Sequence, residues 1–214
     1  MMKILKYLLL LVIVLFAIYL NHLDEIVKQE FSTPLDSNNS NLTLEQHPKA
    51  LINMLLLVED QSFFEHSGVD FVEIGRVIRD YLLKDKPMRG ASTLTQQMIK
   101  NALLTKEQTF GRKLKEVLMA LLLDYSFDKK FILNRYMNSV YLGQTGRYEV
   151  LGFQRAAKFY FNKNLNQLSL NGLATLVALT KGPSYYHPVR HPERILKRRN
   201  LVLRLYYKYQ KIVK

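Results

Sequence analysis

Three short segments carry residue types that could do chemistry together. The first holds Glu59 and Asp60, then Phe63, His66 and Gly68. Glu59 directly follows the apolar run 54–58. A carboxylate in that place is partly withdrawn from water, a setting that suits a proton acceptor. The same two acids also fit the solvated corner of a core helix, because structural networks use such groups too. His66 stands seven residues after Glu59, two turns along the same face if the helix runs on. A lone His is more often a hydrogen-bonding residue than a catalyst, and no His-Glu-x-x-His pattern implies a metal.

The second segment runs from Ser92 to Asn101. Thr93, Gln96, Gln97 and Lys100 fall at i, i+3, i+4 and i+7, with Leu94, Met98 and Ala102 opposite. That is one polar face ending in a cation. Thr and Gln there fit ligand recognition, and equally a solvated face. The third segment places Arg112 four residues and Lys113 three residues before Glu116. Exposed, such a pair is worth only ~0.3–0.5 kcal/mol. Enclosed, it is a carboxylate held among cations that can grip an anionic leaving group. Neither segment is a nucleotide-type phosphate loop, since the Gly-Lys-Ser/Thr ending is missing.

These residues need helices to position them. Residues 48–66 read as a helix opened by Pro48 and closed at Gly68, and 69–83 as a second. Thr93 with Gln96 makes a capping box. Leu114, Leu118 and Leu122 mark the apolar stripe of a helix over 112–125. Asp128 can cap a helix to about Val140, and Gly143 and Gly146 mark a loop. Further helices are predicted at 149–160, 170–179 and 192–212.

The chain has 214 residues, 48% hydrophobic and 23% charged, with no Cys, 9 Gly and 6 Pro. Disorder, a disulfide framework, a thiolate metal site and an all-β fold are thereby excluded. Lys and Arg total 31 against 18 acidic residues, a net charge of +13, which points to an anionic partner. Residues 181–214 hold ten Lys and Arg against Glu193 alone. Ile4 to Leu20 is apolar but for Lys6, and seventeen helical residues span roughly 25 Å, close to a bilayer core. Lys3 and Lys6 lie at its N-terminal end and Asp24 and Glu25 follow it, which keeps the N-terminus cytoplasmic and exports the rest. A cleaved signal peptide is disfavoured, with Ala17 the one small residue near a cleavage site. The expected organisation is a cytoplasmic N-terminus and membrane anchor over 1–22, a polar linker over 23–47 and a globular domain over 48–214.

In order, the three segments resemble the E-D-x-x-F-x-x-H-x-G, G-A/G-S-T-[IL]-T-Q-Q-x-x-K-N and R-K-x-x-E signatures of the peptidoglycan glycosyltransferases. That family comprises the monofunctional enzymes and the transglycosylase domain of class A penicillin-binding proteins. A fourth segment, Lys129, Ile132, Leu133, Tyr136, Asn138, Tyr141 and Gly143, is similar to K-x-x-I-L-E-x-Y-L-N-x-x-Y-x-G. The resemblance covers about Leu51 to Leu205. The stretches 140–146 and 181–188 are most similar to the bifunctional proteobacterial type, but no transpeptidase domain is expected here, and the chain is read as the monofunctional form. It implies an all-α fold: a lysozyme-like head and a smaller membrane-associated jaw, after one N-terminal transmembrane helix. It implies polymerisation of lipid II into glycan strands by inverting glycosyl transfer, with release of undecaprenyl pyrophosphate.

Carried onto this chain, the resemblance makes Glu59 the catalytic base. Glu116 assists the leaving group and orders the site. Lys100, Arg112 and Lys113 meet pyrophosphate, and Ser92, Thr93, Gln97 and Asn101 contact substrate. Asp60, Phe63, His66, Gly68 and Asn138 support them. No cofactor is required, and a divalent cation at the pyrophosphate is compatible with the pattern. The implied partners are lipid II, the growing lipid-linked glycan, the membrane and other cell-wall synthases, with no nucleic acid. The implied location is the inner (plasma) membrane, single-pass, with the catalytic domain on the periplasmic or extracellular side. The chain departs from the family at Asp124 and Asn134, where Glu is common, and at Gln108, where Arg is frequent. Arg89, Lys106 and Lys115 are the nearby cations that could stand in for that Arg. A noncatalytic cell-wall scaffold of the same fold and a lysozyme-like lytic glycosidase are the alternatives. The lytic reading directs a carboxylate pair at water, and the cationic face suits pyrophosphate better than a neutral glycan.

Overall fold

The computed structural model describes residues 2–35, 40–85, 87, 90–105, 107 and 109–210. In chain order the helices α1 (Met2–Ser32), α2 (Lys49–Glu59), α3 (Phe71–Lys84), α4 (Leu94–Leu103), α5 (Phe110–Ser126) and α6 (Lys129–Ser139) come first. The strands β1 (Tyr141–Thr145) and β2 (Tyr148–Leu151) follow, then α7 (Phe153–Phe161), α8 (Leu170–Leu179) and α9 (Pro192–Gln210). Among the described residues the fold is all-α apart from that one hairpin. The chain divides into two compact units. One comprises Met1–Pro34 with His66–Asp128, the other Leu35–Glu65 with Lys129–Lys214.

In the first unit α5 is central. It packs against α4 and against α1. The first part of α1 is long and apolar enough to cross a membrane, and none of its most apolar window is buried. The helix does not stop at Leu20 as the polar composition suggests. Leu23, Val27 and Phe31 recur every four residues, and all three are buried. That stripe extends α1 to Ser32, well into the expected linker. Ser126 at the end of α5 donates to Asp24 at 3.2 Å, fixing the register of the two helices. Asp70 caps α3 by accepting the Glu73 amide at 2.7 Å. Val77 and Asp80 are the buried residues of α3, while Phe71, Val72, Leu82 and Leu83 are largely exposed.

The inward face of α5 differs from the expected Leu114, Leu118 and Leu122 stripe. Glu116, Met119, Ala120 and Leu123 are buried, and Leu114 is half exposed. A periodicity count misses such a face because it scores Glu116 as outward. The charge is accommodated inside by the partners described below.

In the second unit α8 is buried over most of its length, from Gly172 to Leu179, and packs against α2 and α9. The expected loop at Gly143 and Gly146 is a hairpin. β1 and β2 pair antiparallel, Gly143 opposite Val150 and Thr145 opposite Tyr148. Gly146 takes φ +57°, the left-handed conformation such a tight turn requires. Residues 149–151, expected as helix, are therefore strand, and α7 starts at Phe153. The later linker residues are tied down as well. Asn138 donates to the Leu42 carbonyl at 2.8 Å and accepts the Leu42 amide at 3.0 Å. Arg155 donates to Ser40 at 2.8 Å. His47 is buried and donates from Nδ1 to the Thr43 carbonyl at 2.8 Å. Asn138, expected as a supporting residue, is thus a pin for the backbone before α2. Of the expected linker, Asp36, Ser37, Asn38 and Asn39 lie outside the described residues.

Candidate active site

Glu59 is the last residue of α2, whose Leu51, Met54 and Leu55 are buried in the second unit. Asp60 ends the helix with φ −162°, an extended conformation, and the chain then turns through 61–65. His66 therefore does not continue the helical face of Glu59; it sits half-buried in a bend of the first unit. The Glu59 side chain is 9% exposed, with Arg198 Nη2 3.6 Å from Oε1. Thr180, the C-cap of α8, donates from Oγ1 to the same oxygen at 3.0 Å.

Tyr136 is buried in the same unit. Burial first, and then the negative charges of Glu59 and Asp60, hold its hydroxyl well above the usual phenol range. Phe63 is fully buried, with the Lys129 ammonium 4.7 Å over its ring. A cation at that distance gains from the ring quadrupole. The first and fourth sequence segments thus meet in one core.

Glu116 belongs to the first unit and is 2% exposed. Arg112 Nη1 donates to Oε2 at 2.9 Å, and the Lys113 ammonium pairs with Oε1. Gln96 Nε2 donates to Oε1 at 3.3 Å. Lys113 also donates to Ser92 at 3.1 Å. An exposed helix ion pair is thereby excluded: the carboxylate is enclosed and supplied with donors, the condition under which a buried charge is tolerated. Arg112 and Lys113 lie in the first turn of α5, where the helix dipole adds positive potential. Arg112 Nε is buried and makes no hydrogen bond among the described residues.

The second segment does not form one uniform polar face. Thr93 and Gln96 point inward and are buried. Thr93 Oγ1 donates to the Gly68 carbonyl at 2.6 Å and accepts the Gln96 amide at 3.1 Å. Gln96 Oε1 accepts the Thr93 amide at 3.2 Å, closing the capping box. Gln97 is half-buried, while Ser92, Lys100 and Asn101 are exposed. Gly68 has φ +79°, and a Cβ there would overlap the carbonyl oxygen of Ala120 in α5. Only glycine at position 68 fits against α5 there and so brings the Gly68 carbonyl to Thr93. Gly68, Thr93, Gln96 and Glu116 are one connected string of hydrogen bonds and close contacts, with Arg112 and Lys113 at its end.

Sequence reasoning missed Thr180 and Arg198 as site residues, and it put Gln96 on the polar face of the second segment without its bond to Glu116. Arg198 was submerged in the basic run of the C-terminal helix, and Gln96 in the capping box. Arg89, Lys106 and Gln108 lie outside the described residues. No three His, Asp or Glu side chains cluster as metal ligands among the described residues.

Residues 25–206 match the family model described as Transglycosylase. The chain belongs to that family. Among Transglycosylase relatives, it is 42% identical over 181 residues to penicillin-binding protein 1B of Haemophilus influenzae, covering 83% of this chain and 23% of that protein. It is 46% identical over 163 residues to penicillin-binding protein 1B of Escherichia coli, covering 76% and 19%. Penicillin-binding protein 1A of Aquifex aeolicus is 43% identical over 163 residues, covering 76% and 22%. The chain spans about a fifth to a quarter of the length of these curated relatives. The matched Transglycosylase region begins at Asp24's neighbour Glu25, within α1, so it takes in the helix turns that carry Val27 and Phe31.

Proposed function

We infer that this chain is a peptidoglycan glycosyltransferase that polymerises lipid II into glycan strands by inverting glycosyl transfer. Two carboxylates in two different settings carry the reading. Glu116 is held by Arg112, Lys113 and Gln96, so its oxygens are engaged in gathering cations. Glu59 stands nearly enclosed at a helix end, with a hydroxyl and a guanidinium on one oxygen. The two settings suit different tasks, Glu116 clamping cations and Glu59 standing ready to accept a proton. Family membership supplies the substrate class.

In this mechanism Glu59 takes the proton from the 4-hydroxyl of the acceptor sugar. That oxygen attacks the anomeric carbon of the growing chain from the face opposite the leaving group, and the configuration inverts. The bond to undecaprenyl pyrophosphate breaks, and Lys100, Arg112 and Lys113 meet the charge that develops on it. Glu116 keeps Arg112 and Lys113 in place between turnovers. Ser92, Gln97 and Asn101 contribute polar contacts to the substrate, while Thr93 serves through the N-terminus of α4. Asp60, Phe63, His66, Gly68 and Asn138 hold the segments that carry these groups.

The same reading places α1 across the inner membrane, with the domain outside the cytoplasm and beside its lipid-linked substrate. Lys3 and Lys6 on the N-terminal flank support that orientation. The test is purified full-length protein with labelled lipid II, followed by gel separation of products. A ladder of glycan strands is expected. No polymer under conditions where the protein is folded refutes the assignment.

A further inference from the structure

The Thr180 hydroxyl is placed between two acceptors. Oγ1 lies 3.0 Å from Glu59 Oε1 and 2.7 Å from the carbonyl oxygen of Val177. A threonine hydroxyl has one proton to give and lone pairs to receive. It can therefore donate to only one of these oxygens at a time. The Val177 carbonyl is not left orphaned when the hydroxyl turns away, because it also accepts the backbone amide of Thr180 at 3.2 Å. Thr180 itself is fixed: it caps α8, which is buried from Gly172 to Leu179 and presents its C-terminus to Glu59.

We propose that Thr180 is a positioning residue for the proposed base, its single proton following the charge on Glu59. This inference rests on the glycosyltransferase reading. While Glu59 is ionised, the proton points at Oε1, since a hydrogen bond to a carboxylate is stronger than one to an amide carbonyl. That bond, with the Arg198 guanidinium on the same oxygen, fixes the rotation of the carboxyl group before the acceptor sugar arrives. When Glu59 takes the sugar's proton, the charge on Oε1 falls and the hydroxyl turns to Val177, a shift that breaks no covalent bond and moves no proton off Thr180. The carboxyl group is thus held in the reactive state and released in the product state, and the Thr180 hydroxyl has an acceptor in both. Such alignment acts on the chemical step and not on substrate affinity.

The experiment measures kcat and KM for lipid II polymerisation with full-length wild type, Thr180→Val, Thr180→Ser and Glu59→Gln, each checked by thermal unfolding. Thr180→Val keeps the branched shape and removes the hydroxyl. It is expected to lower kcat about tenfold with KM within about twofold, the usual consequence of losing a hydrogen bond to a charged group. Thr180→Ser restores the hydroxyl and is expected to return kcat to within about threefold of wild type. A valine variant with more than half the wild-type kcat overturns the proposal. So does a serine variant as slow as the valine variant, or a loss confined to KM. Glu59→Gln separates the two levels. If it is inactive while Thr180→Val is not impaired, the role of Thr180 fails alone. If Glu59→Gln turns over like wild type, the base assignment fails and takes this inference with it.

Discussion

Gln96 joins the N-terminus of α4 to the buried carboxylate of α5: Nε2 donates to Glu116 Oε1 at 3.3 Å while Oε1 accepts the Thr93 amide at 3.2 Å. One amide side chain therefore serves as cap and as ligand of a buried charge. The isosteric change Gln96→Glu would keep the capping oxygen but put an acceptor where Glu116 needs a donor. Lys113 and Arg112 offset part of the repulsion. A loss of stability of ~1–3 kcal/mol is expected from replacing a buried donor with a like charge, read as a lower denaturant midpoint. Unchanged stability would mean that the Gln96–Glu116 bond does not organise the site.

Lys100 lies exposed on the last turn of α4 and makes no ion pair among the described residues. Its removal should leave folding untouched. If it meets charge on the departing pyrophosphate, Lys100→Ala should slow polymerisation by ~10²–10³. Steady-state rates alongside thermal melts decide between this and a solvated surface lysine, for which neither quantity would move.

Truncation tests the continuity of α1. Removing residues 1–20 deletes no buried side chain of the described part of α1 and should leave the domain folded. Removing residues 1–32 also takes Leu23, Val27 and Phe31, each worth on the order of 1.5–3 kcal/mol when fully buried. The longer deletion should therefore unfold at a clearly lower denaturant concentration, and equal midpoints would mean that α1 does not pack on α5 in solution. The shorter variant should still float with anionic vesicles, since Phe71, Val72, Leu82 and Leu83 remain exposed and the net charge stays positive. Its binding should weaken as salt rises.

Much of this arrangement was legible in the residues. Thr93 and Gln96 announce the start of α4, Ser169 precedes a run that is helical from Leu170 to Leu179, and Pro192 opens α9. These ends are local chemistry, and local chemistry survives folding. The inward turn of Glu116 was less visible, because an apolar-periodicity count treats every charge as outward. Val27 and Phe31 were hidden between polar neighbours in a stretch of linker-like composition. Thr180 and Arg198 could not be found by spacing at all: they lie 121 and 139 positions after Glu59 and reach it only because α8 and α9 pack on α2. Their contribution comes from tertiary contact, which a one-chain motif does not encode.

His47 adds a pH dependence. Burial lowers its pKa below the usual histidine value, outweighing the bond to the Thr43 carbonyl, which favours the charged form. The unfolded chain thus binds a proton at a pH where the folded chain does not. Stability conferred by the neutral ring is present above about pH 6.5, the unfolded value, and is lost as pH falls toward the lower folded value. Denaturant unfolding of wild type and His47→Gln between pH 5 and 8 measures it, and the variant should show the shallower fall on acidification. Parallel curves would exclude His47 as a contributor.

The central claim is that Glu59 is the base of a glycosyl transfer, and the most direct measurement is lipid II polymerisation by Glu59→Gln beside wild type. The substitution keeps the side chain's shape and its place beside Thr180 while removing proton-accepting power. Turnover should fall by ~10²–10⁴ with thermal unfolding close to wild type. A folded Glu59→Gln protein that keeps more than about a tenth of the wild-type rate would contradict the claim, because a lost general base cannot leave that much.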